Sequence, residues 1–113
     1  MLVIRRKLME SVIIEEGESN GEYDIEITPV KIIEGVVRLA VKAPERKVLR
    51  KEIVDNDTGE YKGYSAGVLA LGRSEQQSII IDNIIEVRVT RVEGSGAVRL
   101  GVAAPKNCKI HRK

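Results

Sequence analysis

Apolar and polar residues alternate along much of the chain, a pattern typical of β-strands with one buried face. It is clearest in residues 87–92 and 98–100, where valine or leucine alternates with arginine or threonine. Short apolar runs separated by turn residues predict ten strands. They cover residues 2–7, 11–15, 23–33, 36–42 and 46–51, and then 68–73, 78–82, 84–93, 97–103 and 107–112. No segment, including the polar stretch 52–58, repeats apolar residues at the 3.6-residue period of a helix, so the chain is predicted to be all-β.

The aliphatic composition supports strands. The chain contains 14 valines and 14 isoleucines but only 7 leucines, and β-branched side chains pack well on a pleated sheet. Pro29 is an exception inside one predicted strand, because proline cannot donate a hydrogen bond to a neighbouring strand. That strand is therefore expected to lie at a sheet edge or to carry a bulge at Pro29.

The two halves of the chain share their sequence. The segment 37–44 (VRLAVKAP) recurs as 98–105 (VRLGVAAP), and matching segments precede and follow it in the same order. This indicates a tandem duplication. The first repeat is assigned to residues 1–54, the linker to 55–67 and the second repeat to 68–113, with an additional acidic loop at 15–21 in the first repeat.

Neither repeat is large enough to form a stable hydrophobic core on its own, since all-β units of about 50 residues bury little surface. The two repeats are therefore expected to share one core. A linker of 13 residues reaches roughly 40 Å when extended, which lets the repeats pair face to face and exchange strands within one chain. A dimer in which strands are exchanged between two chains is the alternative.

The charge and the aromatic content limit the classes of function that the chain can have. The chain has three tyrosines and neither phenylalanine nor tryptophan, which argues against RNA-binding sheets that stack bases on aromatic rings. The net charge is +2, and the positive excess lies in the second repeat, where 8 basic residues face 4 acidic ones. Its C-terminal end would form a basic cluster with residues 5–7 if the first and last strands meet, and such a cluster attracts phosphates.

Catalytic and metal-binding chemistry is not expected. His111 has no second histidine to pair with, and Cys108 lies three residues earlier on a predicted strand rather than in a cluster of ligands, so a metal site is not expected. Ser11 has no base to activate it. The chain is therefore predicted to be non-enzymatic and free of cofactors. It shows neither a leader sequence nor an apolar run long enough to span a membrane, and a cytoplasmic location is expected.

The opening segment 1–14 (MLVIRRKLMESVII) and the VRL segments 37–44 and 98–106 resemble the carbon storage regulator family (CsrA/RsmA), as does the ending 110–112 (IHR). The resemblance covers both repeats and omits the linker and the acidic loop. It implies five-stranded units that exchange their first and last strands, and an RNA-binding regulator of translation that recognises GGA motifs in messenger or small RNA hairpin loops. The chain would then be a covalently joined version of the family's dimer.

The resemblance also implies two RNA sites, each built from the first strand of one repeat and the last strand of the other. The first would combine Ile4, Arg5, Arg6 and Lys7 with Ala104, Pro105, Ile110, His111 and Arg112. The second would combine Leu71, Gly72 and Arg73 with Ala43, Pro44, Val48, Leu49 and Arg50. Because Leu49 stands where the other repeat has His111, the sites are expected to be unequal, with the site at Arg112 the stronger.

Two other functions remain open from the sequence. A swapped-hairpin DNA-binding barrel of the AbrB kind is also small, basic and rich in β-strands. Alternatively, the chain is a protein-interaction module that keeps the fold without binding RNA. A regulatory protein partner is compatible with the RNA-binding function as well, whereas membrane binding is not expected.

Overall fold

A computed structural model describes residues 1–16, 24–43, 46–52 and 68–113. These residues form ten strands and confirm the all-β prediction, with strand ends within two residues of those predicted. The first five strands are β1 (Leu2–Lys7), β2 (Val12–Glu16), β3 (Ile25–Ile33), β4 (Val36–Lys42) and β5 (Val48–Arg50). The second five are β6 (Val68–Arg73), β7 (Ser78–Ile81), β8 (Ile85–Glu93), β9 (Ala97–Ala103) and β10 (Cys108–Arg112).

Three parts of the sequence analysis fall outside the described residues: the linker 55–67, most of the acidic loop and Pro44. Lys51 and Glu52, which follow β5, have helical backbone geometry. The rest of the segment 52–58, predicted to be non-helical, also lies outside the described range. Within the described ranges, no helix has the length and apolar character needed to cross a bilayer.

The strands form two antiparallel five-stranded sheets. The first sheet has the order β1-β9-β8-β7-β5 and the second has the order β10-β2-β3-β4-β6. In each sheet, three central strands of one repeat are flanked by the first and last strands of the other. The outer strands are therefore exchanged between the repeats within this one chain.

The core lies between the sheets and draws on both repeats. Its fully buried side chains include Ile14, Ile27 and Leu39 from the first repeat and Ile79 and Leu100 from the second, and they belong to one contiguous cluster. Burying one such aliphatic side chain stabilises a fold by about 1.5–3 kcal/mol. Separating the repeats would expose this shared surface.

The proline in β3 occupies a bulge. The pairing of β3 with β4 shifts between Pro29 and Lys31, so the bulge expected from the sequence is confirmed. The alternative expectation, an edge strand, is wrong because β3 lies at the centre of the second sheet. β8 carries a bulge at the equivalent place, between Val89 and Arg91, without a proline. The bulge thus belongs to the fold of each repeat, and proline is tolerated there.

Candidate nucleic-acid interface

The first and last strands of the chain meet at one edge of the two-sheet structure. Arg6, on β1, donates from Nη1 to the carbonyl oxygen of Lys113 over 3.3 Å and to that of Ser11 over 3.5 Å. The backbones of Ser11 and Lys113 also exchange hydrogen bonds of 3.4 and 3.0 Å. We call β1, β10 and Lys113 the basic edge, and it brings together the two strands predicted to form the first site.

Alternate residues of β1 face opposite sides of the first sheet. Ile4 is 4% exposed and belongs to the core, so its side chain supports the edge from within. Arg6 lies on the same side as Ile4, and its bonds to carbonyl oxygens tie β1 to β10. Arg5 points to the outer face, where its Nε lies 2.8 Å from Glu93 Oε2. Lys7 is exposed on that outer side.

The side chains of β10 are similarly divided between two faces. Ile110 packs against the core, and the alternation places Arg112 on the same side of the strand, where it is exposed at the open edge. His111 faces outward, with Nε2 2.9 Å from Glu15 Oε2. Lys113 Nζ donates to Glu26 Oε1 over 3.1 Å.

Several cations near the basic edge are left without a carboxylate partner among the described residues. They are exposed and lie on β1, on β10 or in the turn before β10: Lys7, Lys109, Arg112 and Lys106. Ala104 and Pro105 are half-buried and line a shallow cavity of about 510 Å³ with Ile84. The arrangement offers unneutralised positive charge beside an exposed strand edge, which suits a polyanion.

The opposite edge, formed by β5, β6 and Glu52, differs in its charge. We call it the linker edge. Arg73 takes the place of Arg6, but it is 5% exposed. Its Nη1 and Nη2 donate to Glu52 over 2.7 and 3.2 Å, and Nη1 also donates to the carbonyl oxygen of Ser78 over 3.1 Å. This pairing neutralises the guanidinium on which the predicted second site depends.

The remaining residues predicted for the second site have mixed exposure. Leu71, Ala43 and Val48 are core residues, each less than a tenth exposed. Leu49 is half-buried, and Arg50 is exposed at the end of β5. Arg50 is therefore the one exposed cation that the predicted second site offers among the described residues.

Two glutamates near these edges have perturbed acidities. The hydrogen bond from the Arg73 side chain lowers the pKa of Glu52. The backbone N–H of Lys7, which donates to Glu10 Oε1 over 2.9 Å, lowers the pKa of Glu10. Glu10 thus stabilises the turn between β1 and β2 as a charged acceptor. These hydrogen bonds explain the lowered pKa values of both carboxyl groups without a role in acid–base catalysis.

Side chains able to bind a metal are not grouped together. No set of three or more His, Cys, Asp and Glu residues is placed to hold an ion within the part of the chain that is described. His111 contacts Glu15 on the outer face, far in sequence but adjacent across the β2–β10 pair. This contact and the Arg5–Glu93 and Arg73–Glu52 pairs were not predicted from the sequence, because each joins residues from different repeats.

The fold and this edge together define a class of protein: a small two-sheet β-protein whose repeats exchange outer strands and which presents a basic, aromatic-free edge. The profile of the global regulator protein family, CsrA, matches residues 1–58 and 68–113. The chain belongs to the CsrA family. This confirms the resemblance seen in the sequence, and the family is one of regulators, not enzymes.

Individual relatives agree with the family match, and each is called translational regulator CsrA. The protein of Clostridium kluyveri is 42% identical over 72 residues, which is 63% of this chain and 89% of that protein. That of Clostridium botulinum (strain Langeland) is 44% identical over 63 residues, covering 55% of this chain and 78% of its own length. That of Thermosipho africanus is 44% identical over 46 residues, covering 41% and 62%. No solved structure matches the chain significantly.

Proposed function

We propose that the chain is an RNA-binding regulator of translation that binds GGA-containing hairpin loops at its basic edge. The observation that carries this proposal is the meeting of β1 and β10 through the Arg6–Lys113 hydrogen bond, with exposed cations on both strands. Membership of the CsrA family supports it. The alternative of an AbrB-like DNA-binding barrel is not favoured, because the family match covers both repeats.

Different groups at the basic edge would make different contacts with the RNA. Exposed cations such as Arg112, Lys109 and Lys7 attract the phosphate backbone and release counterions. β1 is an edge strand, so alternate backbone N–H and C=O groups point away from β9. These groups suit hydrogen bonding to the edges of unstacked bases, the mode by which single-stranded loops are read. Arg6 positions the two strands.

One chain would then carry one strong RNA site and one weak site. Gly72 on the linker edge takes the place of Arg5, and Leu49 takes the place of His111. Arg73 is already paired with Glu52. We infer that the pseudo-dimer works as a single chain and that the linker edge adds little to its RNA affinity.

Titration of a fluorescent GGA hairpin tests the site. Arg112→Ala is expected to weaken binding by about tenfold, in the range for a lost guanidinium contact to a base or phosphate. Arg50→Ala, the equivalent change on the linker edge, is the matched control and should weaken binding less than about threefold. Equal losses in the two variants would contradict the assignment of the stronger site.

A second binding measurement tests the preference for the GGA sequence and for RNA over DNA. The same hairpin with its GGA loop scrambled should bind more weakly, and duplex DNA of equal length should not displace the GGA hairpin. If duplex DNA competes better than the scrambled RNA, the proposed function is wrong and the DNA-binding alternative is restored. If neither nucleic acid binds at low salt, the protein-interaction alternative applies.

A further inference from the structure

A cleft of about 280 Å³ lies on the outer face of the second sheet, away from the basic edge. It is lined by Lys31 and Ile33 of β3, Val36 and Arg38 of β4, and Gly72 of β6. Lys31 stands opposite Arg38, which stands opposite Gly72, and Ile33 stands opposite Val36. In the cleft, the apolar pair Ile33 and Val36 therefore lies next to the cationic pair Lys31 and Arg38.

The other repeat shows what fills the same place in the first sheet. There, Arg91 stands opposite Arg99, which stands opposite Arg5, and Glu93 stands opposite Ala97. Glu93 Oε2 lies 2.8 Å from Arg5 Nε and 3.8 Å from Arg99 Nε. In the first sheet, Glu93 thus neutralises part of the charge of Arg5 and Arg99.

Two replacements open the cleft in the second sheet. Gly72 replaces Arg5 and removes the arginine side chain from this face, and the cleft is narrow beside it, because a Cβ added to Gly72 would lie 3.2 Å from Val36 Cγ1. Ile33, which is 53% exposed, replaces Glu93 and removes the carboxylate. Lys31 and Arg38 are exposed and have no ion-pair partner among the described residues. Like charges directly opposite each other in a sheet repel, so this pair favours an incoming anion.

We propose that this cleft binds an acidic, extended segment of a partner protein. A carboxylate of that segment pairs with Arg38 and Lys31, as Glu93 pairs with arginines in the first sheet. An aliphatic side chain next to it covers Gly72 and packs on Ile33 and Val36. A peptide fits better than RNA because an aliphatic side chain can cover Ile33 and Val36, whereas a nucleotide would pair its phosphate with Arg38 and leave this apolar pair exposed.

The position of the cleft separates it from the stronger of the two proposed RNA sites, whereas Gly72 is shared with the weak one. β6, which borders the cleft, and β10, which forms the basic edge, lie at opposite ends of the second sheet. A partner in the cleft would leave the basic edge open, so the chain would hold the RNA and the partner together. The inference does not depend on which RNA the basic edge binds.

A labelled peptide of about ten residues that alternates glutamate and valine serves as the probe, and fluorescence anisotropy measures its binding. The same peptide with glutamine for glutamate should bind poorly. Replacing both cleft cations, Lys31→Gln with Arg38→Gln, should weaken binding of the acidic peptide by roughly tenfold, as expected from losing two partly exposed ion pairs. The matched control, Arg91→Gln with Arg99→Gln, should change it by less than about twofold.

Ile33→Glu provides an independent test because it restores the carboxylate that the first sheet has at Glu93. It should abolish binding of the acidic peptide without lowering Tm, since Ile33 is largely exposed. Equal binding of the glutamine peptide, or equal losses in the cleft and control variants, would overturn the proposal.

Competition with RNA and self-association complete the test. If the GGA hairpin displaces the peptide, and the cleft double variant weakens RNA binding instead, the surface belongs to RNA and the proposal is overturned. If the chain forms a dimer that the cleft double variant dissociates, the occupant is a second copy, which also overturns it. Retained RNA binding by the cleft double variant, with loss of the peptide, supports it.

Discussion

Arg6 and Arg73 occupy equivalent positions in the two repeats but have different partners. Arg6 donates to backbone carbonyl oxygens of Ser11 and Lys113, and its Nη2 lies 3.9 Å from Glu10 Oε1. Arg73 makes the same kind of contact to Ser78 and is also paired with the Glu52 carboxylate. The repeated sequence predicts two equivalent arginines. It does not predict the Glu52 contact, which depends on β5 and β6 meeting from different sheets.

The Arg73–Glu52 pair should contribute to stability. Glu52→Gln is expected to lower the free energy of unfolding at neutral pH by about 1 kcal/mol, the upper range for a partly exposed pair. The ordinary pKa of this carboxyl is 4.5 and the pairing lowers it. The contribution is therefore complete above pH 4.5 and is lost as the pH falls through the lowered value.

Urea unfolding of the wild type and of Glu52→Gln between pH 3 and 7 measures this difference. The two curves should converge at the acidic end of the range. If the difference in unfolding free energy stays constant down to the lowest pH, the glutamine destabilises the fold through its packing and the ion pair contributes nothing.

Strand positions were predictable because alternation of valine and isoleucine with polar residues is a local signal. The faces of Arg5 and Arg6 also follow from that alternation. The ion-pair partners of these side chains do not follow from the alternation. Glu93 lies 88 positions from Arg5 and is brought close by the pairing of β1 with β9. The family resemblance, rather than the local pattern, predicted which strands meet at each edge.

The bulges in β3 and β8 allow a test at the level of a single strand. Val89 N donates to the carbonyl oxygen of Gln77 over 3.0 Å, whereas proline in β3 has no N–H to donate. Val89→Pro should therefore destabilise the fold by about 1 kcal/mol or more. The reverse exchange in β3, Pro29→Val, should change stability by less than about 1 kcal/mol, because the other bulge already holds valine.

Thermal unfolding of both variants, monitored by circular dichroism, distinguishes these outcomes. Equal destabilisation by the two exchanges would contradict the view that the bulges are equivalent and differ in one hydrogen bond.

At the scale of the whole molecule, the exchange of strands within one chain makes the two repeats a single folding unit. One core cluster spans both sheets. If the exchange is intramolecular in solution, Tm should not depend on protein concentration. Calorimetry over a hundredfold range of concentration checks this, and a Tm that rises with concentration would indicate exchange between chains.

Because of the duplication, the two edges can also differ in their residues. A dimer of identical chains must present two identical sites, whereas this chain has a basic edge with unneutralised cations and a linker edge whose Arg73 is paired. The asymmetry was partly visible in the sequence, through Leu49 in place of His111. Its larger cause is the pairing of Arg73 with Glu52, which depends on how the two sheets are arranged.

Native mass spectrometry of the chain with equal amounts of a GGA hairpin and its scrambled form tests the central claim most directly. We expect a 12.5 kDa chain that carries one GGA hairpin, with the scrambled hairpin displaced. A complex containing two chains, or equal occupancy by the two hairpins, would contradict it.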